Sequence, residues 1–344
     1  MEMTRWPVAT VAYLGIGVLF YCCVSLLLLV APIVANSVGY GFENPYLRAQ
    51  QQSYYVNGPM RSIWQADAGC SERDQELGYT AKRGLCEFSN SEFHSELRYS
   101  ESGWFIPVID QPVQPKLLII GDSQAMGWGV NYDRNFAYLM AEMGYAVNNY
   151  AISSYATEQQ LLSVIETAEF AQSDIVIIQY CENDMDKNKR LLKDYLREEI
   201  ALHKAQQTPA PLSAYQKWVN ASHRFVEIFE VESMLLAPVK YFESRGWSHT
   251  LAPYSAEKTA EHKVHLMNVL ARFPTLRDKR VLIFYSNSYG RAFANWNEER
   301  NNIRLVDLGL ARDHYYSIDD HLNAQGHQYV ANELNQIIAT WQSD

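Results

Sequence analysis

Hydrophobic positions along this chain fall into three patterns. The first is a continuous apolar run. From Val8 to Ala31 nearly every residue is apolar, broken by single residues such as Thr10 and Ser25, and no charge occurs between Arg5 and Glu43. A helix rising ~1.5 Å per residue carries such a run over roughly 36 Å, enough to cross a bilayer core of ~30 Å. A cleaved signal peptide needs only about 7–15 apolar residues, although Ala35-Asn36-Ser37 offers small residues for cleavage. A buried core helix is the lesser alternative, because the run is terminal as well as apolar on all faces. The run is therefore read as an uncleaved transmembrane anchor spanning residues 1–37. Arg5 flanks it on one side and Arg48 is the first cation on the other, so the positive-inside rule leans toward the amino terminus inside.

The second pattern is a series of short apolar segments of the kind seen in buried parallel strands. They are Lys116–Ile120, Tyr145–Asn148, Asp174–Gln179, Arg280–Tyr285 and a weaker Ile303–Asp307. The third is helical periodicity between them. Thr157–Phe170 opens with capping-box spacing, Thr157 to Gln160, and places Leu161, Ile165 and Ala168 on one face. The last segment carries Val330, Leu334, Ile337, Ile338 and Trp341 at 3.6-residue spacing. Strands alternating with helices predict an α/β fold with a doubly wound, mostly parallel sheet. Residues 38–115 show no sustained period and read as an irregular lead-in wrapping the main domain, residues 116–344. Within that domain, residues 185–279 are too long for a plain crossover. Amphipathic patterns at Tyr215–Phe229 and Ala256–Phe273, with Pro209 and Pro211 ahead of them, predict a helical insertion.

Composition narrows the function classes. The 344 residues carry 39 acidic and 29 basic side chains, a net charge of -10. That balance argues against nucleic-acid binding and against electrostatic attachment to anionic lipid. Five cysteines are too few for a disulfide scaffold. Cys70 and Cys86 lie in a polar, loop-like stretch without zinc spacing; a disulfide between them is expected, which would mean an oxidising compartment, with two unrelated thiols as the alternative. His262 and His265 lie three apart on one predicted helix but lack a third metal ligand. No phosphate-binding glycine loop occurs. The 23 tyrosines and eight tryptophans could stack on sugar rings, or simply fill core and interface.

Ligands of open parallel sheets bind outside the carboxyl ends of the strands. Three polar groups fall at or near such ends. Gly121-Asp122-Ser123 follows the first strand directly, where a serine hydroxyl can face a cleft. Asn183-Asp184 follows the third strand, where an amide can donate to an oxyanion. Asp319-Asp320-His321 precedes the last helix, where a carboxylate can set the imidazole tautomer.

In this order and placement the chain resembles the SGNH, or GDSL, hydrolase superfamily. Gly121-Asp122-Ser123 with Met126-Gly127-Trp128-Gly129-Val130 resembles the first block of that family. Asn149 to Tyr155 with Thr157, Glu158 and Gln159 is similar to the second, Cys181-Glu182-Asn183-Asp184 to the third, and Asp319 to Asn323 with Gly326-His327 to the last. The resemblance covers roughly residues 75–344 and includes Glu76-Leu77-Gly78-Tyr79. It implies a three-layer, flavodoxin-like form of the sheet domain, Ser123 as nucleophile, His321 as general base, and an oxyanion hole from Asn183 and the amides of Ser123 and Ser154. Two departures stand out: Ser154 and Cys181 occupy positions where the family has glycine. Cys181 is read as a packing substitution. The triad acid is open among Asp319, Asp320 and Asp313. Asp-x-His spacing and strand alternation, which puts residues two apart on one side, favour Asp319.

The expectation is a membrane-anchored serine esterase or O-acyltransferase, needing no metal or organic cofactor. Its substrate would be an acylated glycan, taken as O-acetylated, or a small ester. Its partners would be the membrane, through the amino-terminal helix, and envelope-biosynthesis proteins, with the body of the chain in a periplasm or outside the cell. A non-catalytic glycan-binding or scaffold protein of the same fold is the alternative. Hydrolase and transferase are not separated at this level.

Overall fold

The computed structural model describes residues 8–57, 61–107, 115–189, 231–244 and 252–341. The expected amphipathic segment Tyr215–Phe229 lies outside them. In chain order the main elements are α1 (Val8–Ser37), α2 (Pro45–Asn57), β1 (Ser71–Asp74), β2 (Gly78–Ala81), β3 (Gly84–Asn90), β4 (Phe93–Ser100), β5 (Gly103–Trp104), β6 (Lys116–Ile120), α3 (Ser123–Met126), α4 (Phe136–Glu142), β7 (Ala146–Asn149), α5 (Thr157–Leu162), α6 (Ala168–Gln172), β8 (Ile175–Tyr180), α7 (Asp184–Asn188), α8 (Val231–Glu243), α9 (Ala256–Leu270), β9 (Arg280–Tyr285), β10 (Glu298–Arg300), β11 (Ile303–Val306) and α10 (Ala324–Trp341). They divide into two compact units.

The smaller unit holds α1, α2, α8 and the segment Ser317–Asp319. Leu29, Tyr46, Leu47 and Ala237 form its buried cluster. The turn between α1 and α2 is closed by polar side chains. Gln51 donates to the Tyr40 carbonyl and accepts the Phe42 amide, while Arg48 donates to the Phe42 carbonyl. Among the described residues α1 alone is long and apolar enough to cross a membrane.

The larger unit is built on a nine-stranded sheet of order β10-β11-β9-β8-β6-β7-β5-β4-β3. The five central strands are parallel. Taken in chain order they run 2-1-3-4-5, a doubly wound arrangement with its switch point between β6 and β8. Every residue of β8 is buried, because both sheet faces are covered. Alternation along β6 sends Leu117 and Ile119 into one core, shared with Val330 and Leu334 of α10. Leu118 and Ile120 enter the other, shared with Leu266 and Val269 of α9. The two cores on opposite faces make three layers.

The lead-in expectation needs correction: residues 71–104 are not irregular. They form β1 to β5, and β3, β4 and β5 extend the main sheet in antiparallel order. Cys86 and Phe88 do alternate inward on β3, but on β4 a serine, Ser95, takes one of the buried positions beside Leu97. That hydroxyl is satisfied by the Phe88 carbonyl, so the inward face is real yet reads as polar. Cys70 and Cys86 are joined by a disulfide, with Cα atoms 4.9 Å apart. The single helix expected over Thr157–Phe170 is two, α5 and α6. Thr167 caps the second by accepting the Phe170 amide, and Gln159, not Gln160, accepts the Ala156 amide at the start of the first.

His327, in the first turn of α10, is buried, and its Nδ1 accepts the Phe136 amide at 3.3 Å. Burial pulls its pKa down to about 3. An unfolded histidine binds a proton below ~6.5; the folded chain refuses it until far lower pH. Stability should therefore fall as pH drops from about 6.5 toward 3. Urea midpoints measured across that window should decline, and His327→Gln should show a shallower decline than the parent chain. An unchanged slope in the variant refutes this.

Candidate active site

The site is assembled at the carboxyl ends of β6 and β8, the two strands that flank the switch point. Gly121 ends β6 with no room for a side chain: a Cβ there would lie 2.7 Å from Gln179 Oε1 and 2.8 Å from Ala125 Cβ. The same Gln179 oxygen accepts the Asp122 amide. Asp122 then caps α3 by accepting the Gln124 amide. This turn delivers Ser123 at the first position of α3.

His321 Nε2 lies 2.6 Å from Ser123 Oγ. Its other ring nitrogen, Nδ1, faces Asp320 Oδ1 at 3.3 Å. Asp320 Oδ2 in turn accepts from Ser288 Oγ at 3.3 Å. The imidazole is stacked on Trp128, with ring centroids 4.6 Å apart and planes 13° from parallel.

The backbone around His321 is held by one side chain. Gln124 Nε2 donates to the Asp320 carbonyl at 2.9 Å, and Gln124 Oε1 accepts the Leu322 amide at 3.0 Å. Both peptide groups flanking the histidine are thus fixed by the residue next to Ser123. The Tyr316 amide closes the loop on the His321 carbonyl.

The assignment of Asp319 as the partner of His321 is corrected by this geometry. It assumed an extended segment with neighbouring side chains on opposite sides. Residues 317–321 form a series of bends instead, so alternation does not apply and the adjacent Asp320 turns onto Nδ1. Asp319 belongs to the smaller unit. There its carboxylate accepts from the Tyr55 hydroxyl at 2.8 Å and lies 3.5 Å from the Arg61 guanidinium. Asp313 is in a short 3-10 turn, Arg312–His314, and its carbonyl accepts from Asn323.

Two groups expected for an oxyanion hole follow the neighbouring strands. Asn183 is exposed in the turn after β8, and its hydrogen bond to Asp122 favours the charged carboxylate. An amide has two N–H donors, so one remains for a ligand. Ser154 sits in the loop after β7 with φ at 63°, the left-handed region that glycine enters freely. Surrounding bonds hold it there. Lys187 donates to the Ser154 carbonyl and Gln65 to its hydroxyl, while Tyr79 donates to the Ser153 carbonyl. Tyr155 donates to the Tyr79 carbonyl.

Below these groups lie buried acids. Burial pushes the Asp122 and Asp184 carboxyls up, and the charge of Asp122 adds to the effect at Asp184; the Lys187 ammonium opposes both. Burial also pushes the Cys181 thiol well up, which leaves it without thiolate character. His262 of the expected histidine pair is buried and bonded through Nδ1 to the Tyr180 hydroxyl at 2.8 Å, as a core histidine rather than a ligand.

Sequence reasoning missed Gln124 and Ser288 because neither lies in a pattern that points to chemistry. Trp128 was visible as a member of the first block, but its stacking on His321 was not.

No family model matches this sequence, and no curated protein matches it. Solved structures do. One is a psychrotrophic esterase, EstA, from Pseudoalteromonas sp., at 13% identity and TM-score 0.33, covering 67% of this chain and 100% of that one. Another is a GDSL-like lipase from Bacteroides thetaiotaomicron VPI-5482, at 17% identity and TM-score 0.29, covering 67% and 92%. The likeness is remote, and the functional reading rests on the residues themselves.

If Asp320 is the acid that orients His321, Asp320→Asn holds the wrong tautomer and turnover on a small ester should fall by ~10²–10⁴-fold. Asp319→Asn should cost no more than about tenfold. The reverse ranking would refute the assignment. Gln124→Ala should lower kcat more than tenfold with little change in KM, since it touches His321 only through the backbone. A change confined to KM would show that it contacts substrate instead.

Proposed function

We propose that this chain is a serine ester hydrolase or O-acyltransferase of the SGNH type. The observation that carries the reading is the 2.6 Å contact between His321 Nε2 and Ser123 Oγ, with a carboxylate on the opposite ring nitrogen. In this mechanism Ser123 Oγ attacks an ester carbonyl while His321 takes its proton, and Asp320 stabilises the imidazolium. Asn183 and the Ser123 and Ser154 amides donate to the oxyanion of the tetrahedral intermediate. Collapse breaks the bond to the alcohol, which leaves with the proton from His321. Water or an acceptor hydroxyl then attacks the acyl-serine, and His321 again relays the proton.

The substrate in this reading is an O-acyl group, acetyl by preference, on a cell-envelope glycan. The body of the protein is placed in a periplasm or outside the cell, tethered by α1. The Cys70–Cys86 disulfide supports an oxidising compartment, and the apolar length of α1 supports the tether. Whether water or a sugar hydroxyl accepts the acyl group depends on how the cleft excludes water.

A fluorophosphonate probe should label the full chain at Ser123, and Ser123→Ala should abolish both labelling and ester cleavage while the chain stays folded. Cleavage of an O-acetylated glycan should be lost in His321→Ala, because the imidazole is the group placed to accept the serine proton. Assays with and without an acceptor sugar separate transfer from hydrolysis. A folded protein that neither labels nor cleaves would favour a non-catalytic glycan-binding role.

A further inference from the structure

The smaller unit carries an amphipathic helix that the proposed chemistry does not use. Helix α8 packs on α1 and α2. Ala237 and Tyr241, four residues apart, join the cluster of Leu29, Tyr46 and Leu47. The rest of its circumference is divided. Val239 and Phe242, three apart on one flank, are apolar yet 45% and 60% exposed. Lys240 and Glu243, also three apart, occupy the other exposed flank. Such a helix has one side for its neighbours, one for an apolar medium and one for water.

Its position on α1 says which apolar medium. The inward stripe of α1 runs through Ser25, Leu29, Pro32 and Asn36, in its carboxyl-terminal half. Thirty helical residues at ~1.5 Å each span roughly 45 Å, against a hydrocarbon core of ~30 Å. About ten residues of α1 therefore exceed the core, and because the continuous apolar run ends at Ala31 the covered stripe, which reaches Asn36, lies at the carboxyl-terminal boundary. On the same α1, Leu19, Phe20 and Leu27 are 66%, 69% and 68% exposed. Helix α8 thus lies beside the part of α1 that reaches the edge of the core, with an exposed apolar flank of its own.

We propose that α8 is a second membrane contact, lying at the bilayer surface beside α1 with Val239 and Phe242 inserted among the lipids and Lys240 and Glu243 toward water. This rests on the reading of α1 as a membrane anchor. Interfacial helices bury their apolar face by about 5–10 Å in this way. The charged residues of α8 are Glu232, Lys240 and Glu243, so it has no cationic face to demand anionic headgroups. Insertion is driven by apolar area alone.

The test uses the full chain in phosphatidylcholine vesicles, with benzoylphenylalanine placed singly at Leu19, Val239, Lys240 or Phe242. After irradiation, intact mass spectrometry reads phospholipid adducts. Expected are adducts from positions 19, 239 and 242, a yield at least fivefold lower from position 240, and yields unchanged when a third of the lipid is phosphatidylglycerol. Adducts at 19 but not at 239 or 242 overturn the proposal and leave the anchor standing. No adduct at any position overturns the anchor as well. A crosslink from 242 to a second protein chain overturns it in favour of a protein partner, and a yield that needs phosphatidylglycerol overturns the apolar mechanism.

Discussion

The placement of His321 against Ser123 depends on the side chain of Gln124. It joins two segments almost two hundred residues apart, bonding the peptide groups on both sides of His321 from the residue beside Ser123. A 2.6 Å contact between serine and imidazole requires both backbones to be fixed to within a fraction of an ångström. The bends before His321 form no ladder, so the peptide groups around the histidine are satisfied individually, by Gln124 and by the Tyr316 amide. Trp128 restrains the ring from its face. Ser123 and His321 are therefore located by the same turn, which is itself set by Gly121 and Gln179.

The segment before the first parallel strand holds the loop that carries Ser154. Ser154 holds a left-handed backbone that costs a non-glycine residue of order 1–3 kcal/mol, and it persists because its surroundings over-determine it. Gln65 and Tyr79 come from that early segment, which is tied by the Cys70–Cys86 disulfide and by its strands on the sheet edge. Lys187 adds a bond from the far side, and its charge offsets part of the burial of Asp122 and Asp184. One ammonium thus steadies both the loop of an expected oxyanion donor and the buried acids beneath Asn183.

The sequence by itself determined the long apolar helix, the five parallel strands and the last amphipathic helix, because each follows a local period of side chains. Lys116–Ile120 and Arg280–Tyr285 were legible to the residue, and the neighbouring strands to within one. That Ser123 and His321 could meet was legible because a glycine turn after the first parallel strand and a histidine just before the last helix stand in a distinctive order. Tertiary structure decided what local period cannot carry. Strands β3 to β5 were hidden because Ser95 fills an inward position and is satisfied only by a partner strand. The choice of Asp320 over Asp319 was hidden because it depends on how a bent loop closes. That closure is made by Gln124, whose partners are distant in the chain. Alternation along a strand predicts which side a residue faces only where the backbone is extended, and at the site it is not.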